Sequence, residues 1–116
     1  MFDFENLEVY KEAKELTKET LKFLKENKAI NSYLRDQLYR AVISVVINIA
    51  EGSGKFSKAN KKNFYIISRS SVYECVSILE IIFEENQITK DKFNYFYQKF
   101  ETISKMLLGL INNQRN

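Results

Sequence analysis

Apolar residues recur at alternating spacings of three and four along most of this chain, and that period restricts each long segment to an amphipathic α-helix. The clearest example is the C-terminal segment, whose apolar seam comprises Phe93, Phe96, Phe100, Ile103, Leu107 and Leu110. Such coiled-coil-like spacing predicts a helix that packs along its whole length. The chain has no proline and only three glycines, so a sheet built on tight turns is disfavoured. The sequence predicts an all-α fold.

Three further helices are predicted at about residues 7–26, 33–51 and 58–85. Ser32, Ser57 and Thr89 precede the second, third and fourth helices. They are the predicted N-caps, because their side-chain oxygens can accept a hydrogen bond from a free N–H of the first turn. A chain of 116 residues suits one domain. We therefore predict a single domain over residues 1–116, an up-down antiparallel four-helix bundle.

Glycines mark places where a helix is expected to end or to pack closely. Gly52 and Gly54 are predicted to end the second helix, because glycine readily adopts the positive φ found at many helix C-termini. Gly109 lies within the fourth helix, where glycine is less favourable than alanine by about 1 kcal/mol. We expect a neighbouring helix to approach closely at Gly109. In the third helix the predicted core stripe comprises Phe64, Ile67, Val72, Cys75, Ile78, Leu79 and Ile82.

The second helix is apolar on more of its surface than one bundle core can cover. Between residues 41 and 50 the polar residues are Ser44 and Asn48. A four-helix bundle covers one stripe of each helix, so the excess predicts contact with another subunit. The candidate interface residues are Val45, Ile47 and Asn48, and one of Val45 and Ile47 is expected to face the neighbour. The polar stripe is either a hydrogen-bonded seam within the assembly or a narrow edge facing solvent.

Positive charge is concentrated at one corner of the predicted bundle. Residues 52–73 contain five basic residues and no acidic residue, whereas the rest of the chain is slightly acidic. The residues of this basic corner are Lys55, Lys58, Lys61, Lys62 and Arg69. A lysine-rich helix start opposes the helix dipole, so local helix stability does not account for the pattern. Two interpretations remain: contact with nucleic-acid phosphates, or a loop that is charged to stay soluble.

The sequence contains no catalytic constellation. With no histidine and one cysteine, Cys75, it has neither a zinc ligand set nor a pair for an internal disulfide. Gly-Ser-Gly-Lys at 52–55 lacks the first glycine of a phosphate-binding loop and follows a helix rather than a strand. We predict no enzymatic activity and no cofactor or metal. No signal core or membrane-length apolar run is present, so we expect a cytoplasmic location without membrane association.

Five motifs occur in order: Leu7-Glu-Val-Tyr-Lys11, Asn48-Ile-Ala-Glu-Gly52, Gly54-Lys-x-Ser57, Ser71-x-x-Glu74 and Lys105-Met-Leu-Leu-Gly-Leu-Ile111. Together they resemble the four-helix bundle proteins encoded by intervening sequences of bacterial large-subunit ribosomal RNA genes. The resemblance implies a ring-like homo-oligomer, typically a homopentamer, with no known enzymatic activity. A related branch, the accessory protein of diversity-generating retroelements, binds nucleic acid and a reverse transcriptase. In this chain Val46 replaces a proline that is common in relatives, and Lys61 makes the basic corner more positive than usual.

Two functions are consistent with these patterns. The first is a non-enzymatic oligomeric scaffold that binds the backbone of DNA or RNA non-specifically through the basic corner. The second is a protein–protein adaptor for a larger enzyme such as a reverse transcriptase, with no nucleic-acid binding of its own. In the second, the acidic end of the third helix and tyrosines such as Tyr73 and Tyr95 would contact the partner.

Overall fold

The computed structural model describes residues 1–114, which form one short 3₁₀-helix and four α-helices, with no strand among them. The 3₁₀-helix covers Asp3–Asn6, and the α-helices are α1 Glu8–Glu26, α2 Ser32–Ser53, α3 Lys58–Glu84 and α4 Lys90–Asn113. The all-α fold and its four helices are thus confirmed. The 3₁₀-helix was not among the elements expected from the sequence.

Consecutive helices run antiparallel, because residue numbers rise along one helix and fall along the next wherever their residues meet. These contacts are Thr17–Val42 and Leu24–Arg35 between α1 and α2, Ser44–Ser71 and Val45–Ser68 between α2 and α3, and Arg69–Ser104 and Phe83–Phe93 between α3 and α4. The α2–α3 interface is the most extensive and the α1–α4 interface the least. The resulting bundle is elongated, with extents of 46, 25 and 22 Å.

All four α-helices contribute to one apolar core. In α4, the middle of the predicted seam is buried, whereas Phe93 and Leu110 at its two ends are only partly buried. Phe96 packs edge-on against Phe23 of α1, with ring centroids 5.6 Å apart, an arrangement that aromatic pairs favour. The seam therefore holds α4 against the other helices, as its spacing predicted.

Two of the three predicted N-caps are confirmed. The hydroxyl of Ser57 accepts a hydrogen bond of 3.1 Å from a backbone N–H of α3, and that of Thr89 accepts one of 3.2 Å in α4. The prediction for Ser32 is wrong, because Asn31 is the N-cap and Ser32 is the first residue of α2. The Asn31 side chain accepts two hydrogen bonds, of 2.9 and 3.3 Å, from N–H groups of the first turn.

The C-terminus of α3 is closed by a paired hydrogen-bond motif. Asn86 has a φ of 59°, in the left-handed region that asparagine tolerates better than most residues. Its N–H donates to the carbonyl of Phe83 at 3.0 Å, and the next N–H, of Gln87, donates to Ile82 at 3.1 Å. This is the pattern of a Schellman motif, and it directs the chain into the short connection before α4.

The predictions are wrong for Gly52 and Gly109, whereas α2 does end at Gly54, which is its C-cap residue. None of the three has a positive φ in the described part of the chain, and Gly52 is a buried residue of α2 rather than a residue beyond its end. A Cβ at Gly52 would lie 2.8 Å from the Tyr65 ring, so a close approach of α3 requires this glycine. A Cβ at Gly109 would meet no atom within 4 Å, so no other helix of the subunit packs closely there.

Gly52→Ala and Gly109→Ala are expected to change the free energy of unfolding in opposite directions. The new methyl group at Gly52 would overlap the buried Tyr65 ring, and overpacking costs about 1–3 kcal/mol. Gly109→Ala adds a better helix former in open space and should stabilise by about 0.5–1 kcal/mol. Urea denaturation measures both changes. A stabilising Gly52→Ala would contradict the close approach of α3.

Candidate nucleic-acid interface

The basic corner is built on the connection between α2 and α3 and on the first three turns of α3. Backbone N–H groups of Gly54 and Lys55 donate to carbonyls at the end of α2, at 3.2 and 3.1 Å. Ser57, three residues after Gly54, caps α3 with its side-chain hydroxyl. Because both helix ends are closed by hydrogen bonds, the backbone of the short turn between them is held in a defined conformation.

Two of the five cations lie on the α2 side of the corner. The ammonium of Lys61 donates a hydrogen bond of 2.7 Å to the carbonyl of Ser53, the last residue of α2. Cations are favourable at a helix C-terminus, where carbonyls lack partners. The ammonium of Lys55 lies 4.8 Å from the centre of the Phe64 ring, within cation–π range. Both lysines are therefore held against the bundle.

The other three cations lie on the α4 side. Arg69 donates from Nε to the carbonyl of Ser104 at 3.2 Å, and its guanidinium lies 5.1 Å from the centre of the Tyr73 ring. Lys62 is two turns before Arg69 on α3, and Lys58 is one turn before Lys62, so the three share a face of the helix. The structure thus divides the basic corner into two sides rather than forming one patch.

Two acidic residues, one of them distant in sequence, approach the α2 side. Asp3 of the 3₁₀-helix and Glu51 of α2 line a cleft together with Lys55. Residues 52–73 contain no acid of their own, but Glu51 lies just before them and the fold adds Asp3 near Lys55. The α4 side, with Lys58, Lys62 and Arg69, is therefore the better candidate for contact with a phosphate backbone.

The aromatic residue of the turn was absent from the site residues predicted from the sequence. Phe56 is fully exposed, between Lys55 and the Ser57 cap. The available signal was the short run Lys-Phe-Ser-Lys at 55–58, in which an aromatic residue lies between two cations. Basic and aromatic side chains in this combination are typical of surfaces that bind single-stranded nucleic acid.

The structure distinguishes the two candidate interface positions of α2. Val45 lies in the core of the subunit, 1% exposed, and its carbonyl accepts a 2.7 Å hydrogen bond from Ser68. Ile47 is 48% exposed on the outer side of the same helix. Ile47, and not Val45, is therefore the apolar side chain available to a neighbouring subunit.

The polar stripe of α2 forms a small hydrogen-bonded cluster with α3. The hydroxyls of Ser44 and Ser71 lie 2.8 Å apart. The amide of Asn48 donates to the Ser44 carbonyl at 2.9 Å and to its hydroxyl at 3.0 Å. At these two positions the stripe is thus a seam within the subunit, and Asn48 is partly exposed at its edge.

An exposed apolar face lies beside this seam. Ile67 and Ile81 of α3 are 48% and 43% exposed, and the Ser44–Ser71 contact places Ile67 at about the height of Ile47 along the bundle. The prediction that Ile67 belongs to the α3 core is therefore wrong. Next to Ile67, Ser68 occupies the core position of α3. Its polar hydroxyl can be buried there because it donates a hydrogen bond to a backbone carbonyl of α2. We call Ile47, Ile67 and Ile81 the α2–α3 face.

The remaining chemistry of the described residues is sparse. Cys75 is buried, and the loss of solvent, with a smaller effect of the Glu74 charge, raises the pKa of its thiol well above the usual range. A thiol of this kind is inert. Residues 1–114 include no group of three histidine, cysteine or acidic side chains that could hold a metal ion. Across the same residues, every helix is too short or too polar to cross a membrane.

The tyrosines named for the adaptor function lie on different sides of the bundle. Tyr73 is 59% exposed and lines a groove between α3 and α4 that also contains Tyr97, Glu80 and Glu101. Tyr95 faces α1, where a hydrogen bond to Glu19 raises the pKa of its hydroxyl. The groove at Tyr73 is therefore the more complete surface for a protein partner, since it combines exposed tyrosines with carboxylates.

Comparison with known proteins gives one family and one fold. Residues 5–109 match the family model described as 23S rRNA-intervening sequence protein. No curated protein matches the chain at a significant level. A similar solved structure is the 1.70 Å crystal structure of a protein of unknown function from the S23 ribosomal protein family of Bacteroides thetaiotaomicron. The TM-score is 0.82 at 23% identity, over 89% of this chain and 97% of the other, so this likeness shows the shared fold alone.

Proposed function

The chain belongs to the family of 23S rRNA-intervening sequence proteins, and from this premise we propose that it is a non-enzymatic oligomeric scaffold that binds nucleic-acid backbone through its basic corner. The observation that carries the proposal is the row of three cations, Lys58, Lys62 and Arg69, along one side of α3. An extended phosphate backbone is the ligand whose charge pattern complements such a row.

Assembly would make this binding effective. One subunit offers few phosphate contacts, but a ring-like homo-oligomer, with a homopentamer as the expected form, repeats them around one axis. Each contact contributes about 0.9 to the slope of log affinity against log salt concentration. The α2–α3 face is the proposed subunit interface, because Ile47 and Ile67 are exposed at the same height of the bundle and exposed apolar patches mark interaction sites. The corner presents charge without base-reading geometry, so little sequence preference is expected.

Reversing charge on the α4 side should weaken nucleic-acid binding without unfolding the protein. We expect Lys58→Glu with Lys62→Glu to lower duplex DNA affinity at 50 mM salt by on the order of 10-fold or more, and to reduce the salt slope by about 2 for each bound subunit. Both positions lie in the first turns of α3, where glutamate suits the helix dipole. Fluorescence anisotropy of a labelled duplex measures the affinity.

Lys28→Glu with Lys90→Glu provides a matched control. Both lysines are exposed at the opposite end of the bundle, so the net charge changes by the same amount and the corner stays intact. The control should bind far more tightly than the corner variant. Equal loss of affinity in the two variants would mean that only net charge matters, and no binding by the wild type at low salt would refute the proposed function.

The adaptor function is the second candidate, and the α3–α4 groove favours it. Tyr73 and Tyr97 are exposed there beside Glu80 and Glu101, a combination suited to a partner with basic side chains. A reverse-transcriptase gene next to the gene for this protein would support the adaptor. A gene position inside a ribosomal RNA gene would support the scaffold encoded by an intervening sequence.

A further inference from the structure

Phe56 is the most exposed large apolar side chain of the described residues, and the fold gives no reason for its presence. It is fully exposed at the tip of the α2–α3 turn. A side chain that buries no surface gains no hydrophobic stabilisation. By contrast, the exposed Phe2 at the same end of the bundle stacks on Phe4, with ring centroids 5.8 Å apart. The Phe56 ring is therefore available to a ligand.

The backbone that carries this ring is held in a defined conformation. The N–H of Lys55, just before Phe56, donates to the carbonyl of Gly52 at 3.1 Å. Just after Phe56, the hydroxyl of Ser57 accepts a 3.1 Å hydrogen bond from an N–H of α3. Because the backbone is held on both sides, binding would not have to order a flexible loop first.

Two lysines flank Phe56 along the backbone. Lys55 precedes Phe56 directly, and Lys58 follows it by two residues at the start of α3. A strand whose phosphates contact the α4 side at Lys58 would bring its bases within reach of the aromatic ring. In a duplex the bases are already stacked and paired, so the ring would have no free face to contact.

We propose that Phe56 stacks on an unpaired base of single-stranded or looped nucleic acid whose phosphates contact the basic corner. This inference rests on the proposed function and names its preferred ligand as a strand with accessible bases. Stacking on an aromatic ring is tolerant of sequence, because every base has a π-face.

The first test uses Phe56→Trp as a reporter, since the chain contains no tryptophan. Adding a 20-nucleotide oligothymidine at low salt should quench the Trp fluorescence as a base stacks on the indole. An abasic oligonucleotide of the same length carries the same phosphates and should bind without that quenching. Equal quenching by both strands, or quenching by neither, would overturn the proposal.

The second test compares affinities of Phe56 variants by fluorescence anisotropy. Phe56→Ala and Phe56→Leu should each bind oligothymidine about 5- to 100-fold more weakly than the wild type, with duplex affinity unchanged. Phe56→Leu keeps an apolar side chain without a π-face, so wild-type binding by this variant would overturn stacking. Because the side chain is fully exposed, circular dichroism should show wild-type helicity in all three variants.

The outcomes separate this inference from the proposed function. If Phe56→Ala binds oligothymidine like the wild type while Lys58→Glu with Lys62→Glu weakens binding, backbone contact stands and stacking is overturned. If the wild type binds neither strand nor duplex, both fail. A blue shift of the Trp emission with phosphatidylglycerol vesicles, but no quenching by oligothymidine, would assign the turn to a membrane surface. A blue shift of the Trp emission that grows with protein concentration in the absence of ligand would assign the turn to a subunit contact. Either of these two blue shifts would overturn the proposal.

Discussion

Val45→Asp is expected to abolish the folded subunit, whereas Ile47→Asp is expected to leave it folded and to dissociate the assembly. Val45 is 1% exposed in the core, and a carboxylate there would be buried without a partner. Ile47 is 48% exposed on the α2–α3 face, so an aspartate at this position is solvated in a free subunit and buried only at a subunit interface. Circular dichroism reports the helicity, and light scattering at micromolar concentration reports the mass.

Leu108→Asp is the matched control for the assembly. Leu108 is 42% exposed on α4, so the same chemical change is made on a face that is not proposed to contact another subunit. If the proposed homopentamer is correct, the wild type has five times the subunit mass, and we expect this variant to keep the wild-type mass. A monomeric wild type, or an Ile47→Asp variant that keeps the full mass, would contradict the proposed interface.

Phe100→Ala should lower the free energy of unfolding by about 3–5 kcal/mol. Phe100 is 1% exposed in the middle of the α4 seam, so the truncation removes buried apolar surface and leaves a cavity between helices. Natural domains are stable by only about 5–15 kcal/mol, so this loss is a large fraction of the total. Urea denaturation at fixed protein concentration measures it, since stability of an oligomer depends on concentration.

Phe56→Ala makes the same substitution where no surface is buried. Its unfolding free energy should change by less than about 0.5 kcal/mol, because Phe56 is fully exposed. The pair therefore isolates the effect of burial from the effect of the residue type. Equal urea midpoints for Phe100→Ala and Phe56→Ala would show that the α4 seam does not carry the core.

Features that depend on neighbours in sequence were predictable. The Ser57 and Thr89 caps bond to N–H groups three residues away, and the α4 seam follows from the 3.6-residue period alone. Even the error at Ser32 is local, because Asn31 beside it is an equally good cap residue. The number of helices, their approximate ends and the family resemblance were accordingly available before any tertiary contact was known.

The candidate site was only partly predictable. The five cations of residues 52–73 are evident from composition, but their division into two sides depends on contacts with distant residues. Arg69 reaches Ser104, 35 residues away, on α4, whereas Lys61 reaches the end of α2. The ring of Phe56 was overlooked because a phenylalanine in sequence is by default a core residue, and only its surroundings show that it is exposed.

The sequence by itself determined which segments are α-helical, where they begin to within a residue or two and how much charge the corner carries, because these properties arise from interactions within a few residues. Only the tertiary structure decided how each helix is rotated about its axis. Periodicity alone allows either Val45 or Ile47 of α2 to face the core. It likewise allows either Ile67 or Ser68 of α3 to do so. Ser68 is buried because its hydroxyl meets the carbonyl of Val45, 23 residues away, and Gly52 is required because Tyr65 packs against it. Packing between helices, rather than spacing within one, therefore determines which face is left for a partner.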